Sequence, residues 1–193
     1  MQDLFFLQLT FYLGALWYVL PAYIANASPT ILGGGPPIDG GRMWRDGKRL
    51  LGDGKTWRGL ILGTLSGTLF GVLQMFVEGG PEAVLRALLI SFGALLGDLI
   101  GSFIKRRRGL QRGQSFLFMD QLGFLIVGTI LVLLAFPLTV EGISFEFPLL
   151  GDTITYSVVQ VLLYLVILLP LTMVVHMVAN LIWYALGKQD VPL

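Results

Sequence analysis

Residues Val84–Arg108 read VLRALLISFGALLGDLIGSFIKRRR. Apart from Arg86 and Asp98, everything before the terminal KRRR is apolar or small. A bilayer core of roughly 30 Å takes about 20 helical residues to cross. The stretch therefore reads as a membrane-spanning helix that ends at a basic, water-facing boundary. Asp98 stands about two helical turns inside that boundary. An aspartate at such depth costs roughly 2.5–3.5 kcal/mol on insertion scales, so it must face a partner, a cavity or an ion.

The rest of the chain agrees with a membrane setting. Of its 193 residues 55% are hydrophobic and only 13% charged, against about 25% charged in an ordinary soluble domain. Such a chain has too little polar surface to cover itself in water. Five apolar stretches are long enough to cross: residues 4–25, 60–77, 84–104, 122–140 and 156–186. Backbone groups in lipid must pair within their own segment, and no strand-like alternation is present, so the expected fold is all-α and polytopic. The last stretch contains Pro170 and is expected to tilt, kink or extend past the bilayer. The whole chain is expected to form one transmembrane domain, 1–193. There are no cysteines, which excludes disulfides and thiolate metal sites. No basic residue precedes the first apolar run, so no signal-peptide pattern is expected.

Charge placement gives a direction. Arg42, Arg45, Lys48, Arg49, Lys55 and Arg58 follow span one. Lys105, Arg106, Arg107, Arg108 and Arg112 follow span three, and Lys188 follows span five. Twelve of the 13 basic residues thus fall on one side, with Arg86 near the other. The positive-inside rule puts the N-terminus outside, the C-terminus in the cytoplasm, and both basic loops, 26–59 and 105–121, in the cytoplasm.

The first of these loops reads NASPTILGGGPPIDGGRMWRDGKRLLGDGKTWRG. Its end looks at first like a phosphate-binding P-loop, but the glycine that G-x-x-x-x-G-K-[ST] requires would fall at Arg49. The glycines still allow close backbone approach to an anion, and Lys and Arg are interleaved with them. Apolar Ile31, Leu32, Met43, Trp44, Leu50, Leu51 and Trp57 argue for an ordered loop. Arg42–Leu51 is expected to form a short helix at the membrane surface. A loop that only adheres to anionic lipid gains nothing from Asp39, Asp46 and Asp53.

In the second motif, Asp98, Ser102 and Lys105 fall on one helix face. Gly97 and Gly101 would let a neighbouring helix come close. Asp120 starts span four at the same membrane boundary, and the two carboxylates suit Mg²⁺, which takes its remaining ligands from water and phosphate. The plainer alternative is that Asp98 pairs with a nearby Lys or Arg to hold helices together. The single histidine, His176, is expected to be a hydrogen-bonded interior residue. Asn180 is left open. Together these residues describe a membrane-embedded site for phosphate and Mg²⁺. Nucleotidyl transfer to a lipid phosphate fits it, because a phosphate monoester with its second pKa near 6 needs no general base at neutral pH.

These residues resemble the archaeal CDP-archaeol synthases, relatives of bacterial CDP-diacylglycerol synthase. Lys55-Thr56-Trp57 with Gly59 resembles the K-T-W-x-G element, and Gly97-Asp98-Leu99 with Lys105-Arg106 resembles the G-D-L/F…K-R segment. Asp120-Gln121 matches the L-D-R-x-D region in part, without its second acidic position. The resemblance covers residues 26–124. It implies transfer of CMP from CTP to 2,3-di-O-geranylgeranylglycerol 1-phosphate, with Mg²⁺ as cofactor, at the cytoplasmic face of the cell membrane. On that reading Asp98 and Asp120 hold the metal, and Lys55, Lys105 and Arg106 neutralise phosphate. Gly52, Asp53, Gly54 and Thr56 form the phosphate-facing segment. Asp39, after the Gly33–Gly35 turn, binds cytidine or a second metal. The expected partners are CTP, the isoprenoid ether lipid phosphate and the bilayer, with no nucleic acid; self-association into a homo-oligomer is left open.

Two rivals are weaker. A CDP-alcohol phosphatidyltransferase needs D-x2-D-G-x2-A-R, which is absent. A non-enzymatic ion or solute carrier using Asp98 would commonly carry an internal repeat, and none is visible.

Overall fold

The computed structural model describes residues 2–110, 117–136, 143–147 and 152–185. The helices are α1 (Gln2–Ala27), α2 (Pro29–Leu32), α3 (Trp57–Glu78), α4 (Glu82–Arg107), α5 (Leu117–Ala135) and α6 (Val158–Ala185). The five long ones overlie the five apolar stretches. Among the described residues, α3 and α4 are each long and apolar enough to cross a membrane. α6 runs on through Pro170. One element departs from the all-α expectation. Strands β1 (Ile143–Phe147) and β2 (Asp152–Tyr156) pair antiparallel, with Ile143 opposite Tyr156 and Phe147 opposite Asp152. They occupy the connection ahead of α6, where β-branched and aromatic residues make up most of ISFEF and DTITY.

α4 is the central element, packed against α1, α3 and α5. The buried core joins Ala15, Tyr18, Val19 and Ala22 of α1 to Ile90 and Ala94 of α4. Phe124, Leu125 and Val132 of α5, Tyr156 of β2, and Val161, Tyr164 and Leu168 of α6 complete it. Water exclusion cannot drive helix association inside lipid, so small residues and polar bonds carry it. α3 buries Gly59, Gly63, Gly67 and Gly71. A Cβ at Gly67 would stand 2.4 Å from the Pro21 carbonyl oxygen. The opposite face of α3 leaves Ile61, Leu65, Leu69, Leu73 and Phe76 exposed, a face suited to hydrocarbon and not to water.

Polar side chains repair the helix backbone. Pro21 has no N–H, so the carbonyl of Trp17 loses its helical partner. Gln74 of α3, fully buried, donates its amide to that carbonyl at 2.6 Å. Tyr23 and Thr172 share a hydroxyl hydrogen bond between α1 and α6.

Candidate functional site

The long loop between α1 and α3 folds back on itself. Its ends are zipped together: Ile38 N–H donates to the Lys55 carbonyl at 2.8 Å, and Pro37 bridges Thr56. Within it, Arg42–Leu51 is a tight hairpin and not the expected surface helix. Trp44 N–H donates to the Lys48 carbonyl at 2.8 Å, and Met43 bridges Arg49. The cause is Asp46-Gly47. The Asp46 carboxylate accepts from Lys48 N–H at 3.1 Å, and Gly47 has φ +74°, the turn chemistry that ends a helix and starts a hairpin.

Asp39 holds this loop together. Its side chain is 1% exposed and accepts from Arg49 Nε and Nη2 at 3.2 and 2.8 Å. The amides of Leu51 and Gly52, both at 3.0 Å, and of Gly41 at 3.1 Å also donate to it. The Arg49 guanidinium is the main reason its carboxyl lies well below the usual range; burial pulls the other way, and the Gly52, Leu51 and Gly41 amides add to the lowering. With both oxygens committed, Asp39 builds the loop, which is at odds with its expected role as a cytidine or metal ligand. The same bond spends the Gly52 amide, so it is not free to cradle phosphate.

Lys55 and Thr56 close the loop onto α3. Thr56 is buried and caps α3, its hydroxyl accepting from Gly59 N–H at 3.1 Å. The expected phosphate-binding hydroxyl is thus first a helix cap. Lys55 Nζ donates to Asp98 Oδ2 at 2.5 Å, with side-chain exposures of 27% and 32%. The plainer alternative for Asp98, a cationic partner, is present, and that partner is one of the expected phosphate-binding lysines.

A cleft of about 380 Å³ lies beside this pair. One wall is the loop, Arg49 and Leu51–Lys55; the other is α4, with Ser102, Lys105 and Arg106. Four cations line it, two from each wall. Asp53 faces the cleft as the second partner of Arg49, at 2.8 Å, and its side chain is 71% exposed. Arg49 is also held well above its usual range, first by Asp39 and then by Asp53, so it is a permanent cation. On the other side of Lys55, a smaller and more apolar slot is lined by Pro29, Ile38, Leu60, Leu95, Asp98 and Leu99. Lys55 and Gly54 belong to both spaces.

The loop is tied to the end of α4 by contacts the sequence did not announce. Arg107 pairs with Asp46 and donates to the carbonyls of Lys48, at 3.1 Å, and Arg49. Lys48 Nζ returns a bond to the Arg107 carbonyl at 3.0 Å. Phe103 supports both sides, under the Arg107 guanidinium at 5.0 Å and edge-on to Trp44 at 5.5 Å. Asp120 lies in the first turn of α5, but its side chain is outside the described residues, as are those of His176 and Asn180. The α5 backbone does reach α4 next to Asp98. A Cβ on Gly97 would stand 2.3 Å from the Gly123 carbonyl oxygen, so the close approach expected at Gly97 is made by α5.

Mg²⁺ fits this donor set in one respect. It is held by one or two carboxylates with substrate phosphate supplying the rest, and Asp98 is a half-buried carboxylate at the edge of a cationic cleft. Among the described residues no group of three acidic or histidine side chains forms a self-sufficient metal site.

Comparison with known proteins gives the family. A family model for CarS-like CDP-archaeol synthase matches residues 6–147. CDP-archaeol synthase of Thermococcus gammatolerans is 51% identical over 183 residues, covering 92% of this chain and 94% of that protein. The synthase of Methanocaldococcus jannaschii is 39% identical over 189 residues, covering 92% and 94%. A solved structure of an intramembrane enzyme for archaeal membrane lipids biosynthesis is 34% identical, with a TM-score of 0.67, covering 86% of this chain and 92% of that one. A membrane helix bundle with a cationic cleft at the mouth of its central helix, and relatives this similar along nearly their whole length, have one explanation: the chain belongs to the CDP-archaeol synthase family.

Proposed function

We propose that the chain transfers CMP from CTP to the phosphate of an unsaturated archaeal ether lipid, 2,3-di-O-geranylgeranylglycerol 1-phosphate, giving CDP-archaeol and pyrophosphate. The observation that carries the site is the cleft itself: four cations on two walls, joined through Lys55 to a carboxylate set in an apolar helix. A lipid phosphate oxygen attacks the α-phosphorus of CTP. The bond from that phosphorus to the bridging oxygen breaks, and pyrophosphate leaves with the electron pair. The nucleophile is largely dianionic at neutral pH, so no base is asked of the protein.

The protein's part is electrostatic and positional. Lys105 and Arg106 from α4 and Arg49 from the loop receive the triphosphate. Lys55, between cleft and slot, is placed to draw the two phosphates together. The slot beside Asp98 opens the site toward the apolar helices, where the isoprenoid chains lie. Mg²⁺, held by Asp98 with Asp120, would supply neutralisation of charge on the transferring and leaving phosphates. All five long helices cross the cell membrane, and both basic loops face the cytoplasm, where CTP is found. Nothing in the family match supports the carrier alternative.

The test is conversion of radiolabelled CTP by purified protein with Mg²⁺ and the isoprenoid lipid phosphate, beside an acyl glycerol phosphate. Formation of CDP-lipid with release of pyrophosphate is expected, faster with the isoprenoid substrate. No nucleotide-lipid from either substrate overturns the assignment.

A further inference from the structure

We infer that Arg107 and Asp46 are positioning residues for the nucleotide, acting by setting the gap between the two walls of the cationic cleft. This rests on the reading of that cleft as the CTP site. Arg107 directly follows Arg106 of the α4 wall, and its guanidinium binds the Asp46 carboxylate together with the carbonyls of Lys48 and Arg49. Arg49 is itself the start of the loop wall. The clamp therefore joins one wall to the other at their common end, one residue from Arg106 on α4 and through the backbone of Arg49 itself on the loop. Lys48 Nζ, bonded back to the Arg107 carbonyl, doubles the join. Phe103 sits under the guanidinium and against Trp44, which fixes the approach angle.

An exposed ion pair alone has little effect. This one differs because a planar fork meets three acceptors on one hairpin, two of them backbone. Neither side chain lines the cleft, so the pair acts through the placement of Arg49 and Arg106. A lysine at 107 keeps the charge and three donors, but they leave from one nitrogen and cannot span acceptors that Arg107 reaches with two separate nitrogens, Nη1 for Asp46 and Nη2 for the Lys48 and Arg49 carbonyls. The consequence is specific. Loosening the clamp weakens nucleotide binding and leaves the lipid-facing slot beside Asp98 unaltered.

The test compares wild type with Arg107→Gln, Arg107→Lys and Asp46→Asn in detergent or nanodiscs. Asp46→Asn is the milder change, since the amide oxygen still accepts from Lys48 N–H. The readouts are KM for CTP, KM for the lipid phosphate, kcat, and CTP affinity by calorimetry. We expect KM and Kd for CTP to rise about tenfold in Arg107→Gln, the scale of one charge-assisted contact to the triphosphate lost from a displaced wall. A smaller rise is expected in Asp46→Asn, with no rescue by lysine and with lipid KM and kcat within about twofold. Unchanged CTP affinity in Arg107→Gln, equal loss for both substrates, or a fall in kcat alone overturns the inference. Wild type that binds no CTP overturns it together with the cleft assignment. Arg106→Ala separates the two cases: if it weakens CTP binding while Arg107→Gln does not, the cleft stands and the clamp falls.

Discussion

Among the described residues, two ion pairs join α3, or the segment leading into it, to α4, one near each end, and they are built to opposite specifications. At the end away from the loop, Arg86 makes two bonds to Glu78, at 2.7 and 2.5 Å, and both side chains are under 10% exposed. Trp17 donates to the same carboxylate at 3.0 Å, and the Tyr156 ring lies 4.6 Å from the guanidinium. At the loop end, Lys55 and Asp98 share one contact, each is about 30% exposed, and the cleft opens beside them. The first pair is shut and surrounded. The second is a single bond that a phosphate can compete for. Charges in a membrane helix are expensive in both places, so the difference is one of purpose: one pair closes the bundle, and the other keeps a cation and a carboxylate ready beside bound anions.

The comparison breaks most sharply if the open pair proves dispensable. Asp98→Asn should lower CDP-lipid formation about 10³-fold or more, the scale for losing a group that fixes charge at the reacting phosphates. The melting temperature should move little, since Lys55 retains water on its exposed side. Lys55→Met should cost about 10²-fold, the scale of one preorganised electrostatic contact. Labelled-CTP turnover and a thermal melt in the same detergent check both. An active Asp98→Asn enzyme would return this pair to the structural class.

The closed pair should answer in the other currency. Removing one partner leaves an uncompensated buried charge, so Glu78→Gln should destabilise the fold by about 3–5 kcal/mol. Turnover per folded molecule should stay within about twofold of wild type. Unfolding of the detergent-solubilised protein, with turnover normalised to folded fraction, distinguishes this from an effect on catalysis. Gly97→Ala lies between the classes. It pushes α5 from α4 next to Asp98 and should lower both stability and turnover, each by less than the extreme case.

The same contrast explains what was legible in the sequence. The five long helices follow from apolar length alone; four begin and end within three residues of the expected bounds, and α5 lies five residues earlier at each end than the expected 122–140. Lys55, Asp98, Lys105 and Arg106 were legible because charge in or beside an apolar span is conspicuous. Their assembly was legible only in part. The sequence placed Lys55 and Asp98 in one site but as separate ligands of phosphate and metal, whereas they bind each other. The Asp39 hub was hidden because its donors, Gly41, Arg49, Leu51 and Gly52, are brought to it by turns. Asp46-Gly47 does announce its hairpin; Met43, Trp44, Leu50 and Leu51 signal an ordered segment and do not distinguish a surface helix from a hairpin. The regular glycines of α3 also carried a readable packing signal in GLILGTLSGTLFG. β1 and β2 are short and stand among apolar neighbours, and a five-residue strand leaves a weak trace beside spans of twenty.

The smallest expected effect concerns Asp39, which neither opens to ligand nor seals the bundle. Its carboxyl is held below its unfolded value, near 3.9, chiefly by Arg49. The loop therefore draws its full support from Asp39 above about pH 4, and that support fades as the pH falls from there toward the lower folded value. Between pH 5 and 8 this residue should contribute no pH dependence at all. Tryptophan fluorescence reports the change, because Trp44 lies on the hairpin and Trp57 directly follows the closing segment. Wild type should show a transition below pH 4. Asp39→Asn, which cannot titrate, should lack that transition and already show the looser loop at pH 7, with KM for CTP raised a few-fold at most. A variant with an unchanged acid transition would mean that the transition is not that of Asp39, and the five bonds it accepts would then be packing within the loop and not the support that holds it closed.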